Sequence, residues 1–147
     1  MALKVTRREA DYIKIVYEKS VEEQHKVTSG FIAREVGVRT PTVIEVLWKL
    51  KKRKLISIEK NGKITLTKRG LKLAGVIVRK HRILETYFVK ALNLDLAFAC
   101  KESSNVDYIL SSEVMDRLCT ILGKPCNCPH GKPIPYEDEL EKGGIQT

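Results

Sequence analysis

The stretch "SGFIAREVGVRTPTVIEVLWKLKK", Ser29 to Lys52, decides how this chain folds. Its apolar residues recur at helical spacing in two blocks, and the residues between them are of the kind that stop one helix and start another. Thr28 or Ser29 suits the cap of a short helix that turns Ile32, Ala33 and Val36 inward, and Gly37 permits the tight turn that ends it. Thr40 suits the cap of a second helix, in which a first-turn Pro41 sacrifices no hydrogen bond and Val43, Val46, Leu47 and Leu50 face back to the first. A small Ala at a close crossing, a Gly at the turn and an open N-terminus on the second helix are what a helix-turn-helix requires. In that motif the exposed end of the second helix reaches base edges in the major groove, which here offers Arg39, Thr40, Pro41, Thr42, Ile44 and Glu45, with Lys49 one turn on. Glu45 can accept a hydrogen bond from cytosine N4, while Thr42 and Ser29 suit phosphate contacts.

Working outward, Ile13, Val16, Tyr17 and Val21 predict a preceding helix over residues 10–21. On the other side, Ile56 to Glu59 and Lys63 to Leu66 alternate around "KNGK", and Asn61-Gly62 signals a two-residue hairpin with Lys60 and Lys63 at its tip. A β-wing on a helix-turn-helix gives a winged helix. The same two helices could pack together without nucleic acid, and the basic wing is what tips the reading toward DNA. Trp48 fits either a core position or an exposed one on the reading helix.

The chain has 147 residues, 43% of them hydrophobic, and a net charge of +9. That size suits one domain or two small subdomains, with enough apolar content for a real core. The charge is uneven: residues 1–82 carry 21 Lys/Arg and 8 Asp/Glu, a balance of +13, and residues 83–147 carry 6 and 10, a balance of −4. A basic N-terminal half suits a polyanion, although a Lys-rich solubilising surface looks the same. No run approaches the roughly 20 apolar residues of a membrane span and Met1 to Lys14 lacks a signal-peptide block, so a cytoplasmic protein is expected, without membrane partners.

The acidic half holds all four cysteines, Cys100, Cys119, Cys126 and Cys128. In a reducing compartment such residues point to metal or redox chemistry rather than disulfides. Thr67 suits the cap of a long helix over residues 68–92 with Leu73, Ile77, Leu84, Phe88 and Ala91 on one face. His81 and Glu85, four residues apart, project from one side of it, as a pair that could hold a cation or as a surface ion pair. A short helix over residues 96–106 carries Cys100. Ser111 or Ser112 caps a further helix with Val114, Leu118 and Ile121 on one face, ended by Gly123. Cys119 reads as a core thiol. In "CNCPHG", Cys128 and His130 are donor types for zinc or iron, though a Pro-Gly-rich loop with incidental thiols is the alternative.

The segments "ADYIKIVYE", "IAREVGVRTPTV", "LTKRGLKLA", "RKHRILET", "LNLD", "SSEVMDRL" and "CPHGKPIP", in this order, resemble the diphtheria toxin repressor and manganese transport regulator family of metal-responsive transcription factors. The resemblance runs from about Glu9 to Leu140. It implies a mainly α fold, with a winged helix-turn-helix domain over residues 1–70 and a helical dimerisation and metal-binding domain over residues 71–147, in a short form without an SH3-like domain. It also implies an ancillary metal site at His81, Glu85 and Cys100, the last in place of the family's His. A Cys donor favours zinc or ferrous iron over manganese, which is still compatible. The family's primary site would fall on Asp11, Ser104, Asp107 and Tyr108, where only Asp11 and Asp107 are ligand types, and Lys14 stands where manganese-type members carry a carboxylate. Cys128 and His130 orient or complete a site.

The expected protein is thus a homodimeric, metal-responsive regulator, of repressor type, on a pseudo-palindromic double-stranded DNA operator. The alternative is a winged-helix regulator with a purely structural zinc or with thiol control at Cys126 and Cys128. With no phosphate-binding glycine loop and no convincing nucleophile set, enzyme activity is not expected.

Overall fold

The computed structural model describes residues 3–136. The chain divides into two units, one from Arg8 to Ala74 and the other from Gly75 onward together with the N-terminal residues up to Arg7.

In the first unit, α1 (Arg7–Val16) buries Tyr12, Ile13 and Val16. It begins earlier than the apolar pattern suggests and gives way at Tyr17–Glu22 to a π-helical turn, in which Ser20 Oγ donates to the Val16 carbonyl at 2.6 Å. The Ser29–Lys52 stretch forms α2 (Ser29–Val36) and α3 (Thr40–Lys52). Thr28 is the cap of α2, its Oγ1 accepting from Phe31 N–H, and Gly37 ends the helix in the left-handed region at φ 70°. Thr40 does not cap α3. Arg39 holds that place without a side-chain cap, and its carbonyl receives the Thr42 and Val43 N–H groups. The fixed φ of Pro41 supports the first turn. Ile32 and Ala33 on α2, and Val43, Val46, Leu47 and Leu50 on α3, are buried, and the two helices pack together.

Two short strands, β1 (Ile56–Ile58) and β2 (Ile64–Leu66), pair antiparallel with Ile56 opposite Leu66. The wing differs from a two-residue hairpin. Glu59 N–H donates to Lys63 O and Gly62 N–H to Glu59 O, so Lys60, Asn61 and Gly62 form a three-residue loop. Gly62 alone takes positive φ, 81°, whereas a type I′ turn would need Asn61 to do so too. Ile64 N–H also donates to Val27 O, tying the wing to the segment before α2.

Helix α4 (Lys68–Leu92) starts at Thr67, whose Oγ1 accepts from Gly70 N–H and donates to Lys54 O. Of its expected apolar face, Ile77 and Leu84 are buried, Leu73 and Phe88 half-buried and Ala91 exposed, because the helix runs past its core. In the second unit, α5 (Leu96–Val106) is capped by Asp95 and α6 (Ser112–Ile121) by Ser111. Ile83, Leu84, Met115, Cys119, Cys128 and Ile134 make this unit's core. Met115 and Cys119 are buried while Val114 and Ile121 are exposed; the inward face of α6 is thus offset by one residue, about 100°, from the one expected. Cys119 is the core thiol its setting suggested.

Candidate DNA-reading helix and metal centre

Helix α3 presents Arg39, Pro41, Glu45 and Lys49 to solvent, with Thr40 and Thr42 half-buried at its start. Ser29 is half-buried at the first position of α2. Lys49 Nζ lies 3.2 Å from Glu45 Oε1, an exposed i,i+4 pair worth only about 0.3–0.5 kcal/mol, so base contact by Glu45 is not blocked. Trp48 proves exposed, with Lys51 Nζ 5.2 Å from its ring centre. At the wing, Lys60 is exposed and Lys63 half-buried.

The second site is built on α4. His81 and Glu85 project from one face toward α5, and the two meet Cys100 there. His81 Nε2 lies 3.5 Å from Glu85 Oε2 and 3.5 Å from Cys100 Sγ. An ion held at about 2.0–2.3 Å places tetrahedral donors roughly 3.3–3.8 Å apart, so these two distances fit one cation. Behind the ring, His81 Nδ1 is 2.9 Å from Asp107 Oδ2 and 3.5 Å from Ser104 Oγ. Asp107, fully buried at the end of α5, thereby stands as the partner that fixes the imidazole, with Nε2 left facing Glu85 and Cys100. Tyr108 is half-buried beside Asp107. Asp11 belongs to the other unit, on α1, where Lys14 Nζ is 3.3 Å from its Oδ1.

Glu85 is 1% exposed. Burial alone would raise its pKa, but hydrogen bonds from His81 and His130 outweigh that and hold it at about 2. The carboxylate is therefore ionised and ready to accept a cation. His130 comes from the "CNCPHG" loop, with Nδ1 2.8 Å from Glu85 Oε1. Cys128, buried in the same loop, joins Glu85 and His130 as a second group of donors lying within 4.8 Å of one another. Burial raises the Cys128 thiol pKa. Cys126 is exposed. The 45-residue separation of Glu85 and His130 leaves no periodic signal, so spacing does not show that Glu85 lies in both donor groups.

A winged helix followed by a helical unit with convergent His, Glu and Cys donors is the domain pair of the metal-dependent repressor class. The chain belongs to the iron-dependent repressor family: residues 4–64 match its N-terminal DNA-binding domain and residues 67–136 its metal-binding and dimerisation domain. These are repressors and not enzymes. The chain is 29% identical over 132 residues to the diphtheria toxin repressor of Corynebacterium diphtheriae, covering 90% of this chain and 58% of that protein. Among solved structures it is similar to the manganese regulator SloR, at 34% identity and a TM-score of 0.82, with 90% of this chain and 61% of that one covered. A manganese-dependent transcriptional repressor in complex with manganese matches at 32% identity and a TM-score of 0.82, over 95% and 62%. The chain thus spans little more than half the length of these relatives.

Proposed function

We propose that this chain is a metal-responsive, DNA-binding transcriptional regulator of repressor type that acts as a homodimer on a pseudo-palindromic operator. The observation that carries the metal reading is the triad His81, Glu85 and Cys100 with Asp107 set behind His81. His81 Nε2, a Glu85 oxygen and the Cys100 thiolate would hold the ion, which when bound supplies a fixed positive charge and a cross-link from α4 to α5. The N, O and S donor set favours zinc or ferrous iron, with manganese the softer set's weakest fit. Arg39, Thr42 and Glu45 would read or flank base edges, and Lys60 and Lys63 would contact phosphate from the wing. For metal to switch DNA binding it must bind the DNA-competent arrangement more tightly, since equal affinity for both shifts nothing. No described helix is long and apolar enough to cross a membrane, and a cytoplasmic location suits such a regulator.

The testing experiment is binding to a genomic DNA fragment pool by metal-stripped protein and by protein given manganese, ferrous iron or zinc under reducing, anaerobic conditions. Specific binding that appears with one ion is the expected result; equal specific binding in every sample would remove metal sensing. A second reading, a structural zinc, draws support from the burial of the site, His81 being 14% and Glu85 1% exposed at the side chain. An ion that fails to exchange over hours against a competing chelator would favour it.

A further inference from the structure

We infer that Trp48 and Ile44 form an apolar strip on α3 that recognises thymine methyl groups in the major groove of the bound DNA. This rests on the proposed DNA binding by α3 and adds a determinant of its base preference.

Successive residues of a helix are turned by about 100°, which fixes what each side of α3 faces. Val43, Val46, Leu47 and Leu50 gather on the buried side. Glu45, Trp48 and Lys52 all fall within about 30° of the direction opposite to it, so Trp48 shares the outward face with the residue best suited to a base edge. Ile44, four residues before Trp48, is its neighbour on the helix surface. Trp48 is 63% exposed and Ile44 42%, so most of neither side chain serves the core that holds α2 and α3 together. A single oily residue in solvent is ordinary. Two side by side, one of them tryptophan, on the face open for DNA make an interaction surface.

The surroundings of the strip select its occupant. Glu45, Lys49, Lys51 and Lys52 line one surface hollow together with Trp48. Lys49 Nζ is 3.2 Å from Glu45 Oε1, while Lys51 Nζ lies 5.2 Å from the centre of the Trp48 ring. Three ammonium groups around one aromatic ring suit a polyanion and disfavour an apolar or basic protein surface. In the major groove the group that an oily side chain meets is the C5-methyl of thymine. Trp48 stands three residues beyond Glu45, about 4.5 Å along the helix axis, against a base-pair spacing of about 3.4 Å. With α3 lying in the groove, the two side chains therefore address different base pairs: Glu45 accepts from a cytosine N4, and Trp48 and Ile44 pack on the methyl of a thymine beside it. Lys51 and Lys52 flank the strip and serve phosphates at the rim of the groove.

The experiment uses the full chain and a duplex selected from the genomic fragment pool, in the ionic condition that gives specific binding. Each thymine of the duplex is replaced in turn by deoxyuridine, which lacks only the methyl group. Loss of a methyl that the strip meets should weaken the native chain about three- to four-fold, the worth of one buried methyl. W48A should bind the unmodified duplex more weakly by at least that factor and lose nothing further when the same methyl is removed. Trp48 is the chain's single tryptophan, so its emission reports the strip directly and should change as the duplex is titrated in. Its exposure makes W48A harmless to the core, which circular dichroism checks. Equal losses in the native chain and W48A at every thymine, native affinity in W48A, or emission unmoved at saturating duplex would overturn the inference and leave the strip to another partner, such as an acidic protein surface. A chain that selects no fragment in any ionic condition would instead sink the DNA reading on which this stands. Specific selection without methyl dependence sinks only the strip.

Discussion

At the scale of the residue, the metal centre depends on side chains that do not themselves donate. Asp107 Oδ2 at 2.9 Å from His81 Nδ1 holds the ring so that Nε2 faces the other donors, and it is fully buried. Partners of this kind are worth about 10–100-fold in metal affinity. D107N keeps the shape and loses the charge, so chelator competition should show weaker binding within that range, while D107A should cost more because it also leaves a void. Affinity unchanged in both variants would mean that Asp107 does not orient the ring. His81 and Glu85 were legible in the sequence as a pair on one helix face. Asp107 was legible only as a carboxylate near the right place, because its role depends on which of two imidazole nitrogens it meets, and spacing cannot supply that.

Between secondary-structure elements, the junction from the wing to α4 is fixed by two adjacent devices. Thr67 Oγ1 both accepts from Gly70 N–H and donates to Lys54 O, so one hydroxyl caps the helix and anchors it to the turn after α3. T67A removes both bonds and should destabilise the first unit by about 1–2 kcal/mol, read as a fall in the denaturant midpoint with little change of slope. A Cβ at Gly70 would stand 1.8 Å from the Leu55 carbonyl oxygen, backbone that cannot swing away. G70A should therefore cost more than the roughly 1–3 kcal/mol of ordinary overpacking, and a midpoint equal to the native one would contradict this close approach. The cap at Thr67 and the span of α4 follow from the sequence, whereas nothing in "TKRGLK" distinguishes a glycine needed for contact from one merely tolerated. The wing shows the same limit. Asn-Gly announces a hairpin, but whether Asn61 adopts positive φ is decided by the register of Glu59 and Lys63, which makes the loop one residue longer.

For the whole molecule, two surfaces of different character set what it can bind. The charge of the N-terminal half predicts a salt-dependent hold on DNA, in which each phosphate contact adds about 0.9 to the slope of log affinity against log salt. K63A should lower that slope by about one and weaken all sequences alike, while E45A should change base preference with the slope nearly intact. The other surface is apolar. Val114 and Ile121, 43% and 74% exposed, lie on α6 beside buried Met115 and Cys119, so the helix carries oily residues on both its inner and outer sides. That outer face suits the dimer that the family's dimerisation domain implies. I121E places a charge on it without touching the core, so the fold and metal binding should survive while the dimer dissociates. Sedimentation would then show a monomer, and operator affinity should fall far more than K63A lowers it, since one reading head is lost rather than one phosphate contact. A variant that remains dimeric at micromolar concentration, with native operator affinity, would place the dimer contact elsewhere on the chain.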